Sequence, residues 1–208
     1  METLAVIDFE TTGMSPGHGA RATEIAAVLV RGGAIVGRYQ SLMNAGAYVP
    51  PFIEELTGIS NAMIRKAPPA EQVMREVAEF VGVHPLAAHN AAFDRKFWDD
   101  ELARIGLSRR QEFACSLLLA RRLYPDAPNH KLGTLVEYAR VPVAGRFHRA
   151  LADAEMTANL LLRMEEELMR RYELEAVSHE LLRAVQAVPR QKLDSLLACW
   201  PGANRAGC

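Results

Sequence analysis

Two carboxylates at the end of an apolar run are the first residues whose types and spacing could do chemistry. Residues 4–7 (Leu-Ala-Val-Ile) predict a buried strand, and Asp8 and Glu10 follow it one residue apart. Alternate side chains of a strand share a face, so the two Cα atoms are expected roughly 6.5–7 Å apart. Carboxylates that close repel each other unless a cation lies between them, and hard divalent cations prefer oxygen ligands. The sequence therefore predicts a divalent cation site, the alternative being an exposed strand end where both acids are merely solvated.

Two further clusters place acids and a histidine at the boundaries of predicted elements. Asp94 lies near the start of a predicted helix at 92–105, just after a short apolar strand. Asp153 lies near the start of a long predicted helix at 149–171, and His148 precedes that helix. Taken singly, each is typical of a helix-terminal acid or a surface histidine. Loops that follow strands of α/β sheets also gather catalytic groups, so together they predict a shared site.

The elements that would position these residues follow a mixed α/β pattern. Strands are predicted at 4–7, 25–30, 34–42, 86–88 and 113–116, and the second and third form a hairpin around Arg31-Gly32-Gly33. Helices are predicted at 52–56, after Pro69, and at 92–105, 117–123, 132–139 and 149–171, with one or two more between 173 and 198. We therefore expect an α/β fold with helices on a mixed five-stranded sheet.

The length and the net charge of the chain indicate how many domains it has and how it could bind a charged ligand. Its 208 residues suit one domain at 1–170 and a helical C-terminal appendage at 171–208, whose last residues are expected to be disordered. The formal net charge of −1 gives no global basic field, so binding of nucleic acid would depend on a local patch. The pairs Arg109-Arg110 and Arg121-Arg122 are candidates for such a patch.

Targeting signals are not evident. The apolar run at the N-terminus ends at Asp8 and has no basic segment before it, and no apolar stretch approaches the roughly 20 residues that span a bilayer. No C-x-x-C motif indicates a zinc site. We expect a soluble, cytoplasmic protein with no membrane partner.

Three segments carry the candidate residues in a recognisable order. They are Ile-Asp-Phe-Glu-Thr-Thr-Gly at 7–13, His-Asn-Ala-Ala-Phe-Asp at 89–94 and His-Arg-Ala-Leu-Ala-Asp-Ala at 148–154. This order resembles the three motifs of the DEDDh (DnaQ-like) 3′–5′ exonucleases, and within them the group of the proofreading epsilon subunit of bacterial DNA polymerase III. Thr-Gly-Ile-Ser at 57–60, followed by Ala67-Pro68, is similar to that family's segment between the first two motifs. The resemblance spans roughly residues 1–168.

The resemblance implies a ribonuclease-H-like fold and hydrolysis that releases nucleoside 5′-monophosphates from a 3′ end. Asp8, Glu10, Asp94 and Asp153 would be catalytic and would hold two Mg²⁺ or Mn²⁺ ions, which agrees with the preference of these cations for oxygen ligands. His148 would be the general base, because a histidine can exchange a proton near neutral pH.

The resemblance also implies a set of substrate contacts. The substrate would be a nucleic acid with a free 3′ end, single-stranded DNA before other forms. The expected contacts to the terminal nucleotides come from Thr11, Thr12, Gly13, Met14, Ile59, Asn90 and Phe93. Arg149 and the Arg109-Arg110 pair are candidates for phosphate contacts.

Two alternatives stay open at this point. The first is an RNA-directed 3′–5′ exoribonuclease of the same family, with the same chemistry. The second is a subunit whose main role is to dock on a DNA polymerase or sliding clamp, since Gln-Lys-Leu-Asp-Ser-Leu-Leu at 191–197 is similar to glutamine-and-leucine peptides that bind bacterial clamps. The chain past about residue 170 does not match the polymerase-binding tail of the epsilon subunit, which leaves a stand-alone repair or maintenance exonuclease as a further alternative.

Overall fold

A computed structural model describes residues 2–143, 145 and 147–201, and all structural statements refer to these residues. A five-stranded sheet of order β3-β2-β1-β4-β5 forms its centre. The strands are β1 Thr3–Thr11, β2 Ala22–Arg31, β3 Ala34–Leu42, β4 Leu86–Ala88 and β5 Phe113–Cys115. The helices are α1 Pro51–Thr57, α2 Asn61–Lys66, α3 Ala70–Val81, α4 Ala92–Arg104, α5 Ser116–Leu123, α6 Leu132–Tyr138, α7 Ala150–Tyr172, α8 His179–Ala187 and α9 Leu193–Ala198. This confirms the predicted α/β architecture.

Strand β1 lies in the middle of the sheet and joins its two halves. It pairs antiparallel with β2 and parallel with β4, while β2 pairs antiparallel with β3 and β4 pairs parallel with β5. Gly32 and Gly33 form the turn between β2 and β3 with φ of 61° and 80°. Two consecutive residues with positive φ are what a tight two-residue hairpin turn requires, and glycine adopts them without steric cost.

The sheet is covered on both faces, and the alternation along β1 shows how. Leu4 and Val6 belong to the core cluster that includes α5, α6 and α7, whereas Ile7 and Phe9 belong to the cluster that includes α3 and α4. Helix α7 packs across β1 and β2, and α4 contacts β1 from the other side. Side chains at even positions of β1 therefore face α7, which is the face that Asp8 and Glu10 share.

Sequence patterns missed one helix. The short helix α2 has few apolar residues, and only Ile64 is buried. Its start is defined by Ser60, whose side chain accepts a hydrogen bond from the Met63 amide, and the chain leaves it at Ala67. A six-residue helix gives too little periodicity to detect, so its cap was the available signal.

The C-terminal helices pack on the sheet domain and close its edge. Gln186 of α8 accepts a hydrogen bond from the Cys115 amide at 2.6 Å and donates one to the Phe113 carbonyl at 3.1 Å. Both groups lie on β5, the edge strand, so the carboxamide takes the place of a neighbouring strand. The division of the chain into a domain at 1–170 and an appendage at 171–208 stays a prediction. The disorder expected for the last residues concerns positions 202–208, which lie outside the described residues.

The segment compared with a clamp-binding peptide is part of the core. Within it Leu193 is 3% exposed and Leu197 is completely buried, and both belong to the cluster packed against α7. Its leucines are therefore not available to a clamp in this conformation, and the interpretation as a clamp-binding peptide is not supported. None of the described helices combines the length and the apolar character needed to cross a membrane.

We predict that Gln186→Ala destabilises the fold, because it leaves the Cys115 amide and the Phe113 carbonyl without their partners. The expected loss is about 1–2 kcal/mol in the free energy of unfolding, measured by urea denaturation. Gln191→Ala is the control, since Gln191 is exposed and makes no hydrogen bond within the described residues. Equal stability of the two variants would contradict an edge-closing role for Gln186.

Candidate active site

Asp8 and Glu10 project from the end of β1 towards α7, and Asp94 reaches them from the other side of the strand. Strand β4 ends at Ala88, so beyond the pair of Val6 with Ala87 it leaves the edge of β1 open. The first turn of α4 fills this position. Asp94, 2% exposed, accepts a hydrogen bond from the Phe9 amide at 3.2 Å. A carboxylate thus takes the place of the next residue of β4.

Asp153 enters from the first turn of α7 and lies beside Glu10. One of its carboxylate oxygens, Oδ2, accepts a hydrogen bond from the His148 amide at 3.0 Å. The other, Oδ1, is buried and has no hydrogen-bond partner within the described residues. Single ligand atoms of Glu10, His148 and Asp153 lie within 4.8 Å of one another. The structure therefore brings the predicted residues together, and their catalytic roles stay predictions at this stage.

The carboxylates are crowded, and their pKa values show it. Burial, followed by repulsion from Asp94 and Asp153, raises the pKa of Asp8 well above its usual range. Burial and the charge of Asp153 raise the pKa of Glu10 to about 8. Burial raises the pKa of Asp94 to about 7, although the Phe9 amide opposes the shift. Burial also raises the pKa of Asp153. Positive charge at this point of the molecule would be strongly favoured.

The two turns that lead into the site hold non-glycine residues in the left-handed region. Asn90 precedes α4 with φ of 60°, and His148 precedes α7 with φ of 62°. Positive φ is uncommon for residues other than glycine, although asparagine and histidine adopt it more often than most. Such backbone conformations persist where surrounding contacts hold them, and they are concentrated at functional sites. At His148 the holding contact is the hydrogen bond from its amide to Asp153.

Glu24 is the residue of this region that sequence reasoning missed. It lies on β2 directly opposite Glu10 and is 1% exposed. Its carboxylate accepts hydrogen bonds from Arg149 Nη2 at 2.7 Å, Arg149 Nε at 3.1 Å, the Ala150 amide at 3.0 Å and Gln40 Nε2 at 2.7 Å. A glutamate inside the apolar strand Ala22–Arg31 was the signal, because charges are rarely buried without partners.

This contact fixes the start of α7. The N-cap residue Arg149 supplies no side-chain cap, so Glu24 satisfies the Ala150 amide from the neighbouring strand. A carboxylate at a helix N-terminus also interacts favourably with the helix dipole. The anchoring sets where His148 and Asp153 lie relative to Glu10. The expected phosphate contact of Arg149 stays a prediction, and in this conformation the Nε and Nη2 atoms of its guanidinium are held by Glu24.

The loop after β1 presents the residues expected to bind the terminal nucleotide. Thr11 is buried and donates a hydrogen bond to the Gly13 carbonyl at 2.7 Å, so its hydroxyl proton is already used. The Thr12 hydroxyl accepts from the Arg21 amide at 3.0 Å and keeps its own proton to donate. A Cβ on Gly13 would lie 3.3 Å from the Ala20 side chain, so the loop packs closely there. Met14 is 78% exposed.

An ion pair holds this loop in place. Arg21 pairs with Glu101 of α4 through two hydrogen bonds of 2.8 and 2.9 Å, and it donates to the Ala45 carbonyl at 3.0 Å. Glu101 is 2% exposed and also accepts from the Ala22 amide at 3.4 Å. Since α4 also carries Asp94, the pair joins the predicted nucleotide loop to one of the carboxylate-bearing elements.

The other residues predicted to contact the substrate differ in how far their side chains are exposed. Asn90 is exposed, which suits contact with a ligand. Phe93 is partly buried, with its ring 5.0 Å from the Phe97 ring, so it packs against the core. Ile59 is completely buried in a small cluster with Val49 and Ile64. Its predicted contact with a base is wrong for this conformation.

The second predicted phosphate contact is also not supported. Arg109 is bound to Asp99 at 2.6 Å and lies over the Phe113 ring at 5.5 Å. Arg110 lines a different groove, together with Gly82 and Glu112. Neither guanidinium belongs to the carboxylate cluster.

The residues of the cluster fit a divalent cation. Their donors are carboxylate oxygens with one imidazole, and the buried Oδ1 of Asp153 lacks any partner within the described residues. Oxygen-rich sites of this kind select hard cations such as Mg²⁺ and Mn²⁺ over softer metals. A cation would satisfy that oxygen and offset the repulsion among the acids.

We predict that Asp8→Asn stabilises the cation-free protein at pH 8. Because the folded state keeps protons on these acids that the unfolded chain releases, wild-type stability should fall as pH rises from about 4 to about 8. Removing one charge should raise the free energy of unfolding at pH 8 by about 1–3 kcal/mol, which corresponds to an increase in Tm of roughly 3–10 °C. Thermal unfolding in chelator at pH 5 and pH 8 measures this, with the exposed-residue variant Asp126→Asn as control. An unchanged or lower Tm would show that the acids do not repel.

Comparisons with known proteins agree with this geometry. Residues 5–161 match the sequence profile of the RNase_T family, described as exonuclease. The chain is 38% identical over 164 residues to DNA polymerase III PolC-type of Bacillus cereus, covering 78% of this chain and 11% of that protein. It is 35% identical over 171 residues to DNA polymerase III subunit epsilon of Aquifex aeolicus, covering 82% of this chain and 84% of that protein. The chain thus spans about a tenth of the PolC relatives it matches.

A solved structure gives the same assignment. Exonuclease X in complex with 5′ overhanging duplex DNA superposes with a TM-score of 0.69 at 27% identity, covering 88% of this chain and 99% of that one. With the profile match over most of its length, this chain is an enzyme of the DEDDh (DnaQ-like) 3′–5′ exonuclease family, similar to the epsilon subunit of DNA polymerase III.

Proposed function

We propose that the protein is a metal-dependent exonuclease that removes nucleoside 5′-monophosphates one at a time from the 3′ end of single-stranded DNA, in proofreading or repair. The observation that carries this proposal is the convergence of four carboxylates and His148 at the end of β1. Asp8, Glu10, Asp94 and Asp153 would hold two divalent ions, Mg²⁺ or Mn²⁺. Such ions, when bound, supply Lewis-acid stabilisation of charge on the attacking and leaving oxygens.

The protein residues have separate tasks in the reaction. Water adds to the terminal phosphorus, and the bond from phosphorus to the 3′ oxygen of the preceding nucleotide breaks. The products are a nucleoside 5′-monophosphate and a strand with a new 3′-hydroxyl. His148 is exposed, and one of its ring nitrogens lies within 4.8 Å of Glu10 and Asp153 oxygens, where it can take the proton of the attacking water. Thr12 has a hydroxyl proton available for the terminal 3′-hydroxyl.

Glu24 has a positioning task. Its hydrogen bonds to Arg149 and Ala150 keep the start of α7 against β2, and this holds His148 and Asp153 in register with Glu10. Precise placement of this kind contributes much of the rate of phosphoryl transfer, because little covalent chemistry is left to the protein.

The direct test follows a single strand labelled at either end, in Mg²⁺, Mn²⁺ or chelator. We expect a 5′-labelled strand to shorten stepwise and a 3′-labelled strand to release its label as a mononucleotide, with both reactions absent in chelator. Asp8→Ala should fold and show no hydrolysis. Near wild-type turnover in that variant, or activity in chelator, would contradict the two-metal assignment.

His148→Ala separates a general base from a ligand. We expect turnover to fall about 10²–10⁴-fold while Mn²⁺ binding is retained, because the base is lost and the carboxylates are intact. Isothermal titration with Mn²⁺ and single-turnover kinetics measure the two quantities. Loss of metal binding would show instead that His148 is a ligand.

Substrate and partners have their own tests. Turnover of DNA and RNA strands of equal sequence distinguishes the proposed DNA enzyme from an exoribonuclease of the same family. Similarity to the Aquifex epsilon subunit supports association with a replicative DNA polymerase. Co-purification with polymerase subunits tests that association, and no stable complex would favour a stand-alone repair enzyme.

A further inference from the structure

A groove at the first turn of α4, the turn that carries Asp94, has not been assigned a function. It is about 330 Å³ in volume and lies between the first turn of α4, strand β5 and the start of α5. We call it the α4–α5 groove. Leu117 and Leu118 give it an apolar lining, and its polar groups come from Asn90, Arg95, Arg121 and Gln186. Pockets of this size that combine an apolar lining with few polar groups are typical of small-ligand subsites.

The two arginines of the groove are free, unlike most others in the described chain. Arg95 and Arg121 are exposed, and their guanidinium groups make no hydrogen bond or ion pair with any described residue. By contrast Arg21, Arg109 and Arg149 are each held by a carboxylate. No acidic residue lines the α4–α5 groove, so its formal charge is +2.

A larger cleft of the described chain does not share this property. It is about 780 Å³ in volume and lies around the C-terminal half of α7. There arginines alternate with Asp126, Glu167 and Asp194, so the positive charge is partly compensated within the cleft itself. The α4–α5 groove is therefore the stronger candidate for an anionic ligand.

The position of the groove indicates which anion it receives. Asn90 belongs both to the groove and to the turn that leads to Asp94. Across the sheet, the order β2-β1-β4-β5 puts the Thr12 loop on the β2 side of the carboxylates and the groove on the β5 side. A strand whose terminal nucleotide lies on the Thr12 loop can cross the carboxylates and continue into the groove.

We propose that the α4–α5 groove binds the substrate strand upstream of the scissile phosphodiester, with backbone phosphates on Arg95 and Arg121. The inference rests on the proposed exonuclease function and extends it. Guanidinium groups bind phosphate oxygens through paired hydrogen bonds. Leu117 and Leu118 are partly exposed and offer apolar surface that accepts a base or a sugar without sequence preference. The two arginines are substrate-positioning residues and take no part in the bond-breaking step.

The experiment compares two substrates that differ only in having an upstream strand. The p-nitrophenyl ester of thymidine 5′-monophosphate carries the scissile bond and one nucleotide, whereas a 20-nucleotide single strand also fills the groove. For Arg95→Ala/Arg121→Ala we expect KM for the long strand to rise about tenfold or more, with kcat within twofold. For the ester, kcat/KM should stay within twofold. The slope of log KM against the logarithm of the salt concentration should decrease by about 1.4, because each lost phosphate contact lowers that slope by roughly 0.7.

Controls make each outcome decisive. Arg170→Ala removes an exposed arginine on the last turn of α7, which has no partner within the described residues, and should leave both substrates unaffected. Arg95→Lys/Arg121→Lys, which keeps the charge, should recover part of the lost affinity. An unchanged KM for the long strand, or equal impairment of the ester, would overturn the proposal. Failure of the exonuclease assignment itself would appear differently, as absence of metal-dependent hydrolysis by the wild-type enzyme on both substrates.

Discussion

Four carboxylates gathered at the end of one strand are the constraint on which the rest of the structure depends. Asp8 and Glu10 share a face of β1 because side chains alternate, and Asp94 and Asp153 reach them from helices on opposite faces of the sheet. Burial raises the pKa values of all four, and repulsion from the neighbouring acids adds to the shift for Asp8 and Glu10. A chain that concentrates negative charge in this way loses stability unless cations compensate, and this cost is typical of a site built for metal chemistry.

The surrounding contacts keep the cluster assembled. Glu24 accepts four hydrogen bonds and anchors the start of α7, while Arg21 and Glu101 tie the loop after β1 to α4. Both ion pairs involve a carboxylate that is almost completely buried. Buried pairs of this kind contribute little net stability compared with apolar packing, but losing one partner leaves an isolated charge. We infer that their role is to specify geometry, because each joins two elements that carry active-site residues.

Much of the fold and of the candidate active site could be predicted from the sequence, and there are physical reasons why the rest could not. Asp8, Glu10, Asp94, His148 and Asp153 were found because each lies at an element boundary within a local motif, and local spacing is what sequence displays. Glu24 was missed because its meaning depends on Arg149, 125 residues away. For the same reason the pairing of Arg149 with Glu24 could not be predicted.

Burial explains the remaining differences. Ile59 and the leucines at 193 and 197 lie in short segments with turn-like or amphipathic patterns, and such patterns do not reveal which side chain the tertiary structure covers. Gln186 likewise gave no signal in the sequence, because its role arises only from the open edge of β5. Properties set by neighbours in space are the ones that sequence reading could not supply.

Whether the carboxylate cluster holds two divalent cations can be seen in a crystal structure with Mn²⁺ and a nucleoside 5′-monophosphate. Anomalous scattering locates manganese independently of any structural interpretation. We expect two peaks about 3.5–4 Å apart among the carboxylates of Asp8, Glu10, Asp94 and Asp153. No peak at this position, or peaks only elsewhere on the molecule, would contradict it.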